Sequence, residues 1–350
     1  MADNTSKRRQ DIVFLNILFC LLVIFIHVSS EVVVNMPQNI LTFKVVFVAQ
    51  KLSSFVVQGF LMLSGVKLFL NKSGKINYGK YYFGRFTRII IPYIIWVFIY
   101  YCYFCSKDFF EFSVRDFIGY LLRGDLSAHF YFIIILVQFD ILTPLWRLLY
   151  RKGSPAVHLM FALIVTVISS QYLMPILTTL FPSAPAIDFT NCFLRYQIYW
   201  TAGCLIGKNY EQFRSYLKNN ILPICIGFIL CAALNGALAI ATVRHIPVWM
   251  EFVHIMYCIS ALLFFYMISQ LFAGNSILKP LSLVDRASYS VYLLHCLVLV
   301  IVNDYMTDYG ILSLNVRFGI RAAAVYGISI TVCVLWELIK IPFRKMRRRS

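Results

Sequence analysis

Long apolar runs separated by short polar breaks make up almost the whole chain. An α-helix rises about 1.5 Å per residue, so a run of about 20 apolar residues crosses the hydrocarbon core of a bilayer. The pattern therefore predicts an all-α, polytopic membrane protein with about ten transmembrane helices. The predicted spans are residues 12–34, 45–70, 83–104, 127–149, 157–177, 191–208, 220–242, 249–271, 287–303 and 314–341.

The composition agrees with this class. Of the 350 residues, 60% are hydrophobic and 13% are charged, whereas soluble domains carry about 45–50% apolar and about 25% charged residues. No polar stretch is long enough to fold by itself, so we expect a single integral-membrane domain over residues 1–350 and no appended soluble domain. The first apolar run is longer than the core of a signal peptide, and we expect it to remain as a helix.

The net charge of +17 raises the question of a nucleic-acid partner. The cations, however, concentrate in alternate breaks, such as residues 71–80 and 147–152, and in the tail at 340–349. This alternation follows the positive-inside rule, so the charge sets topology and the bilayer is the partner that it implies. Both termini are predicted to be cytoplasmic, and no nucleic acid is expected to bind. The apolar stretch 116–122 is too short to span the bilayer and predicts an interfacial helix.

Histidines inside the apolar runs are the first site candidates, because an ionisable group in hydrocarbon is costly unless it is paired or used. His27 lies in the outer half of the first predicted helix, and His129 lies at the outer end of the fourth. Two imidazoles at a similar depth suggest proton transfer. The alternative for His27 is a structural hydrogen bond between helices, and the alternative for His129 is solvation by the adjoining loop.

Three arginines are candidates for binding an anion. Arg85 and Arg88 lie at the inner mouth of the third helix, spaced so that both face one side, and a planar guanidinium suits phosphate. Their alternative role is to set topology alone. Arg195 lies near the outer end of the sixth helix, in a region poor in cations. One role for Arg195 is to hold an anionic or polar group of the substrate. The alternative is that its side chain only extends to the lipid–water interface.

The remaining polar residues favour structural roles. His295, and Tyr292 one turn before it, are expected to form interhelical hydrogen bonds, and Glu337 is expected to pair with the arginines at the inner end of the last helix. Cys102 and Cys105 form a C-x-x-C that no partner motif accompanies. The sequence contains no G-x-S-x-G elbow, P-loop or H-E-x-x-H motif, and it predicts no metal site.

Five stretches, taken in order, resemble the membrane acyltransferase 3 family, whose members O-acylate extracytoplasmic carbohydrates. "DIVFLNILFCLLVIFIHVSS" resembles the family's first helix with its histidine, and "SSFVVQGFLMLSGVKLF" resembles its second helix. "YYFGRFTRIIIPYIIW" is similar to its R-x-x-R-x-x-x-P-Y helix. "SAHFYFIIILVQFDILTPLW" resembles its "HLWFL" segment, and "ASYSVYLLH" its late S-x-x-x-Y-x-x-H helix. The resemblance covers nearly the whole chain.

The chain departs from the family pattern at two positions. The family usually has an arginine eleven residues before the first-helix histidine, where this chain has Asn16. In the fourth helix, Tyr131 stands where the family has tryptophan. Asparagine cannot supply the positive charge of the family residue.

The resemblance implies acyl transfer across a bacterial cytoplasmic membrane. The donor would be cytosolic acetyl-CoA or another acyl-CoA, with its phosphates held by Arg85 and Arg88. His27 would act as general base or carry the acyl group, and His129 would assist. The acceptor would be a hydroxyl of a cell-surface or lipid-linked saccharide. No bound cofactor is expected.

Two other classes remain open at this stage. A multipass transporter or flippase for a polysaccharide intermediate or a small anion would use the buried ionisable residues as a proton relay. The two halves of the sequence show no inverted-repeat symmetry, which argues against that class. A non-catalytic membrane scaffold would tolerate apolar residues in place of the intramembrane histidines.

Overall fold

The computed structural model describes residues 9–70, 76–180, 191–243, 251–272, 278 and 280–346, with side chains up to residue 341 in the last helix. The described residues form helices and contain no β-strand. The α-helices are α1 Gln10–Val28, α2 Ser30–Asn35, α3 Leu41–Ser53, α4 Val56–Leu70, α5 Tyr78–Arg85, α6 Ile91–Ser106, α7 Val114–Arg123, α8 Tyr131–Ile141, α9 Thr143–Leu149, α10 Pro155–Ile168, α11 Met174–Leu180, α12 Gln197–Lys208, α13 Tyr210–Asn219, α14 Ile221–Val243, α15 Glu251–Ser269, α16 Ser282–Asp308 and α17 Leu314–Met346. Short π-helical turns occur at Phe86–Ile90 and Ser169–Leu173, and 3₁₀ turns at Phe193–Tyr196 and Gln270–Phe272.

The all-α polytopic class is confirmed. Within the described residues, 8 helical stretches are long and apolar enough to cross a membrane, and α8 with α9, bent by 57°, brings the number to 9. The predicted span at 191–208 differs from the rest. Its described part is a 3₁₀ turn followed by α12, which has 12 residues and is shorter than the about 20 that a membrane span needs.

The predicted interfacial segment is a helix. It corresponds to α7, which ends at Gly124, a residue in the left-handed conformation with φ +69° that glycine adopts without strain. Val114, Ile118 and Leu122 follow one another at four-residue spacing and are all exposed. They form one apolar stripe on the helix surface, and its placement in the lipid interface stays a prediction.

The chain divides into two compact units. The first comprises Met1–Phe60 and Glu211–Ser350, and the second comprises Leu61–Tyr210. In the first unit α1 packs against α15, α16 and α17, and buries Leu15, Phe19 and Ile24. The Tyr326 hydroxyl of α17 donates to the Leu21 carbonyl of α1 at 2.7 Å. Because α1 carries His27, these contacts fix the helix that presents the first candidate residue.

In the second unit, three glycines let two helices approach closely. A Cβ at Gly203 of α12 would lie 2.1 Å from the Met62 carbonyl oxygen of α4, and one at Gly207 would lie 2.4 Å from that of Val66. From the α4 side, a Cβ at Gly65 would lie 2.8 Å from the Trp200 carbonyl oxygen. Small residues at a membrane helix interface permit backbone approach of this kind.

Gly203→Ala should therefore destabilise the protein, because the clash is with backbone that has no rotamer to change. We expect a loss of about 1–3 kcal/mol, seen as a lower melting temperature of the purified protein in detergent. Gly227→Ala in α14 is the matched control, since a Cβ there meets no atom within 4 Å. Equal melting temperatures for the two variants would contradict this packing.

Candidate functional site

His27 lies in the last turn of α1 and faces another histidine. Its ring centroid is 5.1 Å from that of His295 of α16, and both belong to the first unit. The His295 ring is fully buried, and its Nδ1 donates to the Tyr292 carbonyl oxygen at 2.7 Å. That bond leaves Nε2 of a neutral ring as an acceptor, 3.3 Å from Cys296 Sγ. His295 therefore packs on the candidate base of another helix, while its Nδ1 hydrogen bond lies within α16, and the expected interhelical hydrogen bond stays a prediction.

These side chains also offer a set of metal ligands. One donor atom each from His27, His295 and Cys296 lies within 4.8 Å of the others. Imidazole nitrogen and thiolate are ligands for zinc or copper, and the backbone carbonyl on His295 Nδ1 orients that ring as metal-bound histidines require. The sequence predicted no metal site, and these three residues are where an ion would bind.

An ion-pair cluster at the end of α1, built around the buried Arg321, was missed by the sequence analysis. Arg317 Nε donates to one oxygen of Glu31 at 2.7 Å, and Arg321 Nη1 donates to the other at 2.6 Å. Only 2% of the Arg321 side chain is exposed. Arg317 and Arg321 are four residues apart in α17 and share a helix face, so both can reach the Glu31 carboxylate of α2. The sequence contains that spacing, but it does not show that α2 and α17 are neighbours.

Asn16 takes the place of the family arginine and contacts a carboxylate. Its Nδ2 donates to Asp285 Oδ1 of α16 at 2.8 Å, and Asp285 is only 6% exposed. A neutral amide here gives the carboxylate a hydrogen bond without a full opposite charge. Three turns below His27, Asn16 thus makes a polar contact between α1 and α16 without a cation on α1.

In the second unit, Arg85 forms part of a polar network. Its Nε lies 3.2 Å from Asp140 Oδ1 and donates to the Tyr81 hydroxyl, also at 3.2 Å. Tyr81 donates to the same Asp140 oxygen at 2.7 Å and accepts from Thr143 Oγ1. The network joins α5 to the bend between α8 and α9. Arg85 is therefore oriented by Asp140 and Tyr81.

Beside this network lies a basic cavity of about 640 Å³. Its lining includes five cations from α4, α5, the π-helical turn and α9, namely Lys67, Lys80, Arg85, Arg88 and Arg147. Arg88 and Lys80 are exposed, and in the described part of the chain neither side chain has a carboxylate partner. Arg85 and Arg88, expected to act together, line the same cavity, and Arg147 is an addition that the sequence did not single out.

His129 is buried rather than solvated. It is 2% exposed, its Nδ1 lies 3.1 Å from Ser127 Oγ, and its ring packs on Tyr100 and Phe130. The alternative that His129 is an interfacial residue solvated at the adjoining loop is therefore wrong. His129 belongs to the second unit and His27 to the first, so their expected meeting stays a prediction.

Arg195 lies in the 3₁₀ turn that precedes α12. Gln138 of α8 holds this turn, since its Oε1 accepts from Phe193 N at 2.9 Å and its Nε2 donates to the Asn191 carbonyl at 3.0 Å. Arg195 is half-buried and lies close enough to Tyr131 to interact with it electrostatically. The structure thus brings together two sequence-predicted residues, Tyr131 and Arg195.

Glu337 and the C-x-x-C pair take structural positions. Glu337 is 3% exposed and accepts from Lys340 Nζ at 3.0 Å, one turn along α17. The arginines that were expected to pair with it lie outside the described side chains. Cys102 and Cys105 are free thiols in α6. Neither feature belongs to the groups around His27 or the basic cavity.

Comparison with known proteins gives the family. The acyltransferase domain of the acyltransferase 3 family matches residues 11–337. The chain is 25% identical over 243 residues to a "Probable poly-beta-1,6-N-acetyl-D-glucosamine export protein" of Staphylococcus aureus, covering 66% of this chain and 67% of that protein. No solved structure matches. The family match covers all five sequence stretches and both groups of site residues, and the chain therefore belongs to the acyltransferase 3 family of membrane acyltransferases.

Proposed function

We propose that this chain transfers an acyl group, most simply acetyl, from cytosolic acyl-CoA to a hydroxyl of a cell-surface or lipid-linked saccharide. The reaction would take place at a bacterial cytoplasmic membrane, as the sequence resemblance implies. The observation that carries the proposal is the basic cavity, where five cations line about 640 Å³ of space in an acyltransferase. CoA carries several phosphates, and a cationic site of this kind suits them.

The cations of the cavity differ in how firmly they are paired, and this decides their roles in the proposal. Arg85 Nε is already paired with Asp140 and donates to the Tyr81 hydroxyl, and these contacts fix the direction of its guanidinium. Arg88 and Lys80 are exposed and have no carboxylate partner in the described part of the chain. A cation without a counterion is available to a phosphate, whereas a paired one must first give up its partner. Arg88 is therefore the residue that we assign to direct phosphate contact.

The positive-inside rule supports a cytosolic position for this cavity. Lys80 lies in the break after the second predicted span, and the other four cations lie near the ends of predicted spans that the rule assigns to the cytoplasmic side. Cytosolic acyl-CoA would meet them there without crossing the bilayer. Topology alone explains why cations occur in these breaks, but it does not require them to line one cavity.

His27 is proposed as the catalytic base. Its imidazole would take the proton of the acceptor hydroxyl as that oxygen attacks the thioester carbonyl carbon, forming the new C–O bond. Collapse of the tetrahedral intermediate breaks the C–S bond, and the imidazolium returns the proton to the CoA sulfur. The nearby His295 is held by its own bond to the Tyr292 carbonyl and supports the His27 ring. Buried His129 would assist, and Arg195 with Tyr131 would contact the acceptor.

Export of a polysaccharide intermediate is the second candidate. The observation that favours it is the name of the staphylococcal relative, which describes an export protein. An exporter would move the polymer without making an acylated product. In proteoliposomes supplied with acyl-CoA and saccharide, transport of unmodified polymer with no acyl ester formed would support export and contradict acyl transfer.

Arg88→Ala should weaken donor binding specifically. Loss of one charge-assisted contact to a phosphate costs about 1.5–3 kcal/mol, so we expect the KM for acyl-CoA to rise by about 10- to 100-fold while kcat changes little. The measurement is steady-state acyl transfer by the purified variant in proteoliposomes.

Arg151→Ala provides the matched control. Arg151 is an exposed cation in the same predicted cytoplasmic break as Arg147, but it does not line the cavity. We expect its KM to equal that of the unaltered protein. If both variants raise KM equally, or if both only reduce insertion into the membrane, the arginines serve topology and the donor site lies elsewhere.

A further inference from the structure

His27, the candidate base, lies near the end of α1. α1 stops at Val28, Ser29 forms a turn, and α2 begins at Ser30. The carbonyl groups in the last turn of a helix have no partner within the helix, and in an apolar environment each needs one from elsewhere. The orientation of His27 therefore depends on what satisfies the carbonyls around it.

Side chains from other helices supply these partners. Gln50 Nε2 of α3 donates to the Ile26 carbonyl oxygen at 3.0 Å. Arg321 Nη2 of α17 donates to the His27 carbonyl oxygen, also at 3.0 Å, and the Ser30 hydroxyl donates to it at 2.7 Å. The backbone of His27 is thus tied to α17 by a guanidinium.

The guanidinium is itself fixed in direction. Arg321 Nη1 donates to Glu31 Oε2 at 2.6 Å, while Nη2 reaches both the His27 carbonyl and Ser30 Oγ. The rigid fork of arginine can make these contacts at once, and a lysine ammonium has no such fixed geometry. With 2% of its side chain exposed, Arg321 has little freedom to leave this arrangement.

From this arrangement we infer that Arg321, oriented by Glu31, is a positioning residue for His27. It acts through the backbone of His27 and holds the end of α1 so that the imidazole keeps its place against His295. The inference rests on the proposed role of His27 as base. A displacement of about 1 Å of a reacting group can reduce a rate by about 100-fold, so holding the backbone matters for the chemistry.

Arg317 offers an internal control. It binds the same carboxylate, through Glu31 Oε1, but its Nη1 donates to the Ile311 carbonyl oxygen, whereas Arg321 donates to the His27 carbonyl oxygen. A role confined to pairing the Glu31 carboxylate would make the two arginines equivalent. A positioning role makes Arg321 the more important for catalysis.

The test compares Arg321→Ala, Arg321→Lys and Arg317→Ala in proteoliposomes. We expect Arg321→Ala to lower kcat by about 100-fold with the KM for acyl-CoA unchanged, Arg321→Lys to recover part of the rate, and Arg317→Ala to stay within a few-fold of the unaltered protein. If Arg321→Ala does not fold, Arg321→Lys still decides, since a normal kcat in that variant would overturn the inference.

A second readout is independent of acyl transfer. The rate at which diethyl pyrocarbonate modifies His27, followed by mass spectrometry, should change in both Arg321 variants and not in Arg317→Ala. Unchanged labelling in the Arg321 variants, or equal changes in kcat and labelling for both arginines, would overturn the positioning role. An unaltered protein that transfers no acyl group would instead refute the proposed function, while the labelling comparison would still decide the role of Arg321.

Discussion

The cost of placing ionisable groups in hydrocarbon is the constraint on which this structure depends. A charge or an imidazole at membrane depth is tolerated only where another group pairs with it. The chain meets this demand repeatedly: Glu31 is bound by two arginines, Asp285 accepts from Asn16, and Asp140 is paired with Arg85. Each of these contacts joins different helices, so the same pairs that satisfy the buried charges also fix the arrangement of the helices.

The two groups of candidate residues differ in how they meet that constraint. Around His27, His295 and Arg321 are buried and hydrogen-bonded, which produces the fixed geometry that a base requires. In the basic cavity, Lys80 and Arg88 are exposed and have no carboxylate partner among the described residues. A buried group with fixed hydrogen bonds can hold a catalytic side chain in place. Exposed cations around a cavity can bind an anionic ligand reversibly.

The sequence predicted the fold class because hydropathy alone reports which segments can cross a bilayer. It predicted the spans less well where an apolar run is close to the minimum length for a membrane span, as in the run that contains the 12-residue α12. It identified His27, Arg85 and Arg88 as candidates, but not Arg321, which lies on a helix 294 positions away from His27 and is needed there only because α1 ends nearby. Pairing of this kind depends on which helices are neighbours, and the spacing of residues in one helix does not reveal it.

The central claim, that His27 acts as the base in acyl transfer, is tested most directly by His27→Ala in proteoliposomes loaded with labelled acyl-CoA. The account predicts that kcat falls by about 100- to 10,000-fold, because general-base catalysis contributes that much, while the KM for acyl-CoA keeps its value. Unchanged acyl transfer by the correctly inserted variant would contradict the account.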